Sequence, residues 1–159
     1  MRSTPGRGFF VASLTRREVE EIYPILWTLE GLALRSARPP RARHLDDLEG
    51  MNELLAKAQN DPEAALERDR RWHGKLLEGC DNSLLLEAIA TLKNRAFRYE
   101  FAYMRGSGRV ITSVGQHREI LDALRRDDRD DAVARLEANW RVSVEFLVPW
   151  LAADPPRSQ

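Results

Sequence analysis

Asp69 and His73 stand four residues apart in the run Glu67-Arg68-Asp69-Arg70-Arg71-Trp72-His73-Gly74-Lys75-Leu76-Leu77. On a helix that spacing places both side chains on one face, a turn apart. Leu66, Leu76 and Leu77 share or flank the same face, so a carboxylate and an imidazole are directed at the interior. Burying even a neutral polar group without a partner costs roughly 2–7 kcal/mol. A metal ion would relieve that cost, and so would a hydrogen-bonded Asp–His pair. Imidazole with carboxylate suits zinc or another divalent transition ion. His117 shares a stripe with Leu121 and Leu124 on a later helix, which makes it a third candidate ligand. Asn139 is a fourth, because its amide oxygen can ligate weakly or hold a metal-bound water.

The remaining chemistry-bearing residues read more plainly. His44 follows a proline-rich turn at a helix start and is expected at the surface. Cys80 has no partner and sits beside Gly79 as an inert thiol. Trp27, Trp72, Trp140 and Trp150 read as core or interface anchors, with Trp72, next to His73, also assigned to effector binding. A metal-dependent hydrolase would need an open coordination position and a placed general base. Glu119 is two residues from His117 and therefore on another helix face. The paired Glu-x-x-His helices of di-iron bundles are absent. The chain is not expected to be an enzyme, and a helical-bundle metalloenzyme is the least favoured alternative.

Helices must position these groups. Thr15-Arg16-Arg17-Glu18 is a capping box that starts one at about Arg16, with Val19, Ile22, Tyr23, Leu26, Leu29, Ala33 and Leu32 as its stripe and Pro24 expected to kink or split it. A second helix runs from about Arg43 to Gln59. Asn60-Asp61-Pro62-Glu63 starts a third, which carries Asp69 and His73 to about Glu78. A fourth spans about Leu84 to Met104, with Leu85, Ile89, Leu92, Phe97, Phe101 and Met104 predicted inward. Thr112 or Ser113 is expected to cap a fifth, and Asp127-Asp128 to start a sixth that Pro149 disturbs. Phe9-Phe10-Val11 is a β-prone run that needs a partner. The expected fold is all-α: an antiparallel bundle of about six helices behind a short N-terminal β segment.

Composition narrows the function classes. The chain has 159 residues, 43% of them hydrophobic and 31% charged, as for a soluble globular domain. Lys+Arg and Asp+Glu are 25 each, so there is no basic surplus for nucleic acid. A single cysteine agrees with a reducing cytoplasm. No apolar run approaches the ~20 residues of a membrane span.

Several stretches in order also resemble a known family. Gly6-Arg7-Gly8-Phe9-Phe10-Val11-Ala12, Leu14-Thr15, Glu18 to Tyr23 and Leu29-Glu30-Gly31-Leu32-Ala33 resemble the junction of a GntR-family regulator, where a winged-helix DNA-binding domain meets a FadR C-terminal-type (FCD) sensor domain. Asp69-Arg70-Arg71-Trp72-His73 with Asn82, and Gln116-His117-Arg118-Glu119-Ile120-Leu121-Asp122-Ala123-Leu124, resemble that sensor's later signatures. The resemblance implies a bundle whose cavity holds a divalent metal, zinc or nickel, beside a small carboxylate effector. It also implies a cytoplasmic homodimer that reaches operator DNA only through a winged-helix domain absent from this sequence. On this reading residues 1–13 are a wing and linker remnant, 14–152 the effector-binding and dimerisation domain, and 153–159 a polar tail. Asp69, His73 and His117 take the metal-ligand roles. Two positions depart from the pattern: the usual last His falls at Asn139, and an Arg that meets acidic effectors falls at Leu26. Arg95 or Arg98 is the candidate replacement cation. The departures keep open a metal-free sensor of a more apolar effector.

Overall fold

The computed structural model describes residues 13–153 in full and residues 2–4 and 8–10 by backbone. The expected turn between the latter two segments, Val11 and the tail after Ala153 lie outside the described residues. Strands β1 (Arg2–Thr4) and β2 (Gly8–Phe10) pair antiparallel, with Ser3 opposite Phe9. Phe9 and Phe10 of the β-prone run lie in the second of these strands.

Six helices follow: α1 (Arg16–Ser36), α2 (Ala42–Lys57), α3 (Pro62–Leu76), α4 (Ser83–Arg105), α5 (Arg109–Arg125) and α6 (Arg129–Ala153). Four start on side-chain caps, each satisfying an orphan amide of the first turn. Thr15, Asp61 and Asn82 accept from Glu18, Ala64 and Leu85 N–H at 3.1 Å each, and Asp128 accepts from Asp131 N–H at 3.0 Å. The fifth start differs from expectation. Gly108, at φ 72°, caps α5, and Thr112 lies inside the helix with its hydroxyl donating back to Gly108 O at 3.0 Å. Only glycine takes that left-handed backbone without steric cost, so the turn chemistry outranks the hydroxyls downstream.

Pro24 does not split α1, which runs unbroken through it. Proline inside a helix costs about 3 kcal/mol, and the burial of Val19, Ile22, Tyr23, Leu26, Ala33 and Leu34 on one face offsets it. That face packs against α4 and α6, while α2 packs on α3 and α5, α3 on α4, and α5 on α6. The result is an all-α bundle with one continuous core. Two polar ties fix its ends: Thr15 N–H donates to the Tyr99 hydroxyl at 2.9 Å, and Arg129 donates to Arg35 O and Ala37 O at 2.8 and 2.7 Å. No described helix is long and apolar enough to cross a membrane.

Two inward faces need correction. Leu32 is 48% exposed, and Glu30 and Gly31 take the buried positions beside it. On α4, Phe97 is 44% exposed, while Lys93, Ala96, Tyr99, Glu100 and Tyr103 are buried. The expectation assumed that α4 turns its apolar residues inward. Leu85, Ile89 and Met104 are buried as expected, but between them the inner face carries Lys93 and Glu100, because that stretch bounds a polar interior.

Candidate metal centre

Two helices bring three ionisable groups together in the core. Asp69 and His73 stand one turn apart on α3, and α5 delivers His117 from the opposite side. Asp69 Oδ2 lies 3.8 Å from His73 Nε2, and Asp69 Oδ1 lies 3.2 Å from His117 Nε2. One ligand atom from each of the three can be chosen so that all lie within 4.8 Å of one another. His73 and His117 are 1% and 0% exposed, and Asp69 is 7% exposed. The inward carboxylate and imidazoles read from helix spacing thus meet at one place.

What surrounds the cluster decides its chemistry. His73 Nδ1 lies 2.9 Å from Glu30 Oε2, and this fully buried carboxylate also accepts from Trp140 Nε1 at 2.6 Å. The Lys93 ammonium stands 3.5 Å from the other oxygen of Glu30. On the far side, Asn52 Nδ2 donates to Val114 O at 2.9 Å, which turns Asn52 Oδ1 toward His117 Nδ1 at 2.9 Å. Trp72 donates its indole N–H to Leu48 O at 3.1 Å and lies flat on the His117 ring, centroids 3.6 Å apart. Each histidine therefore has an acceptor opposite Nδ1, which fixes that nitrogen as the protonated one. When the rings are neutral, both then present an unprotonated Nε2 to Asp69.

That arrangement favours a cation between the rings and the carboxylate. His117 Nε2 is buried and makes no hydrogen bond, although a carboxylate oxygen stands 3.2 Å away. Burial pushes the His117 pKa down against the pull of Asp69, so the imidazolium is disfavoured. Burial also opposes ionisation of Asp69 and Glu30, but His73 and its cationic neighbours outweigh it. Both carboxyls are held down at about 2. Burial lowers His73 while Glu30 and Asp69 raise it, and the balance is upward. Two carboxylates against the Lys93 ammonium leave one negative charge uncompensated when the imidazoles are neutral. Lone pairs from two imidazoles and a carboxylate, with the outer nitrogens anchored by acceptors, form a donor set that fits a divalent transition metal.

The other expected residues are placed as follows. Asn139 is buried on α6, and its Nδ2 donates to Gln116 Oε1 at 2.6 Å, leaving Oδ1 as the atom it can offer. Leu26 is fully buried in the core. Arg95 is exposed and pairs with Glu18 at 3.6 Å, so it does not reach the interior. Arg98 is half-buried on the same helix and is engaged in interactions there. His44 sits near the surface, 3.5 Å from Glu78. A surface groove of about 650 Å³ runs beside it, lined by residues such as Arg38, Arg41 and Arg129, and takes in none of the cluster.

Sequence reasoning missed Glu30, Asn52, Lys93 and Glu100. A signal for the first two existed. Glu30 falls four residues after Leu26, and Asn52 four after Leu48, so each is a polar residue on an apolar stripe. The same signal existed on α4, where Lys93 falls four residues after Ile89 and Glu100 four before Met104.

Comparisons with known proteins agree with this architecture. The FCD domain family matches residues 21–141. No curated protein sequence matches the chain. Among solved structures, E. coli McbR/YncC superposes with a TM-score of 0.81 at 20% identity, covering 93% of this chain and 76% of that one. The metal-free FCD domain of TM0439 superposes with a TM-score of 0.68 at 13% identity, covering 90% of this chain and 100% of that one. A GntR-family transcriptional regulator from Pseudomonas syringae pv. tomato str. DC3000 gives 0.67 at 18% identity, covering 96% and 64%. At these identities the superpositions establish the fold, and the sequence match over most of the chain establishes the family. The chain belongs to the FCD family, the effector-binding domains of GntR-type transcription regulators, which are regulatory modules and not enzymes.

Proposed function

We propose that this domain senses a small organic acid at a divalent metal, zinc or nickel, held by Asp69, His73 and His117, and that it acts as a homodimer. The observation that carries the reading is the buried His117 Nε2, which stands 3.2 Å from Asp69 Oδ1 and makes no well-aligned hydrogen bond. Glu30 and Asn52 anchor the outer nitrogens, so the rings are oriented before any ion arrives. A bound divalent ion supplies a Lewis-acidic anchor for the effector carboxylate. The chain's own residues set the ring orientation, exclude water through the Trp72 stack and hold the site's net charge through Lys93. Asn139 stands as a weaker fourth donor through Oδ1.

Effector binding regulates only if it favours one arrangement of the domain over another. The reader it biases is an attached winged-helix domain, and we read the β1–β2 hairpin as part of that reader. The test is a melting experiment on chelator-treated protein with zinc or nickel added back. The wild type gains stability with metal, and His73→Ala gains none. A wild-type melting point indifferent to both ions would sink the metal reading.

A second reading has specific support. The FCD domain of TM0439 is described metal-free, and Asn139 and Leu26 replace the groups the resemblance leads one to expect. On that reading Asp69 and the histidines make hydrogen bonds only, and a more apolar effector binds without an ion. The same melting experiment separates the two.

A further inference from the structure

The inner face of α4 carries Lys93, Ala96, Glu100 and Tyr103 at helical spacing, and α4 packs against α1, α3, α5 and α6. Glu100 is 6% exposed, and neither carboxylate oxygen has a hydrogen-bond partner. The Tyr23 hydroxyl on α1 likewise makes no hydrogen bond, and the Tyr103 hydroxyl, beside Ser113 and Arg109, has none in good geometry, though both rings are buried. These groups belong to the same interior as the metal cluster. Glu100 interacts electrostatically with Asp69, Lys93 and His73, and Tyr23 with both Glu100 and Asp69.

Nearly all buried polar atoms in folded proteins find a partner, so a carboxylate and two hydroxyls left unmet on one interior call for an occupant. The unmet atoms define its chemistry. When ionised, a carboxylate accepts hydrogen bonds and attracts positive charge, and it repels a second carboxylate. Leu26, on α1 between Tyr23 and Glu30, offers no cation there, and Lys93 is taken up by Glu30.

We propose that Glu100, with Tyr23 and Tyr103, is the specificity-determining end of the effector site. It selects a small monocarboxylate that carries a hydrogen-bond donor, an ammonium or a hydroxyl, at the end away from the metal, and it rejects dicarboxylates. The proposal rests on the metal-anchored reading above for the placement of the effector's own carboxylate.

Calorimetric titration of the zinc-loaded chain tests it with isosteric acids: butyrate, succinate, 4-hydroxybutyrate and 4-aminobutyrate, and their five-carbon counterparts. At one or both lengths a donor-bearing acid should bind at least about tenfold tighter than the plain acid and the dicarboxylate. Glu100→Gln keeps the shape and removes the charge. It should reduce the preference over the dicarboxylate by about tenfold or more. The wild-type order alone decides the matter should the variant fail to fold. Dicarboxylates binding as tightly as donor-bearing acids, no binding by any of the eight, or an unchanged ratio in a folded Glu100→Gln would each overturn the assignment. The zinc-induced melting shift, measured alongside, reports separately on the metal reading: its presence with no donor preference sinks only the role of Glu100. A donor preference that persists in zinc-free protein leaves Glu100 as assigned and removes the metal.

Discussion

Glu30→Gln is the substitution that probes the buried network most sharply. Glu30 is fully buried and meets three donors: His73 Nδ1 at 2.9 Å, Trp140 Nε1 at 2.6 Å and the Lys93 ammonium at 3.5 Å. A glutamine keeps the shape but has one acceptor oxygen and brings an NH2 group toward groups that already donate. It also strands the Lys93 ammonium in the core without its counter-ion. Breaking one side of a buried ion pair costs about 3–5 kcal/mol. For a domain of this length 1 kcal/mol corresponds to roughly 2–4 °C of melting temperature, so a loss of about 6–20 °C is expected in chelator-treated protein. Metal affinity should fall by about 10–100-fold, because the anchored nitrogen no longer fixes the ring. Thermal melting in EDTA gives the first quantity, and competition against a chromogenic zinc chelator gives the second. A variant that melts within ~1 °C of wild type and binds zinc equally well would refute the reasoning, since neither the ion pair nor the histidine anchor would then matter.

Other perturbations give equally definite outcomes. Asn52→Leu removes the acceptor for His117 Nδ1 and the donor to Val114 O; zinc affinity should fall by about tenfold or more in the chelator competition assay, with about 1–3 kcal/mol of stability lost. Burial raises Glu100 from 4.5 to about 7, against the pull of Lys93 and Arg70 and with the help of Asp69. The folded state thus holds this proton more tightly than the unfolded chain does. Its contribution is greatest below pH 4.5 and is lost as pH rises toward 7, by a few kcal/mol at most (~1.4 kcal/mol per unit). Urea melts of metal-free protein should show that Glu100→Gln flattens this decline and is the more stable form at pH 8. Gly108→Ala forces a side chain into φ 72° and should cost about 1 kcal/mol in the same melts, although no atom lies close enough to clash.

The bundle was legible because its signals are local. The Thr15, Asp61 and Asn82 caps and the apolar stripes between them mark five of the six helix starts to within a few residues. The meeting of Asp69 and His73 was legible from one-turn spacing, and His117 from its place beside Leu121 and Leu124. Of the anchoring layer, only the inward placement of Glu30 and Asn52 on their apolar stripes could be read; their partners lie 43 and 65 residues away, a separation no periodicity encodes. On α4, Leu85, Ile89 and Met104 were read correctly, and only Phe97 was misplaced. An apolar stripe marks the inside of a helix only where the inside is apolar, and here Lys93, Glu100 and Tyr103 face a polar interior while Phe97 points outward. The buried cation of α4 is Lys93, paired with Glu30, whereas Arg95 is exposed.

X-ray absorption at the zinc edge of the reconstituted wild-type chain addresses the metal centre most directly. One zinc per chain should appear, with nitrogen and oxygen neighbours at about 2.0–2.2 Å and the outer-shell scattering of two imidazoles, and His117→Ala should leave one. Protein that retains no zinc after desalting, or a spectrum without imidazole scattering, would contradict the account.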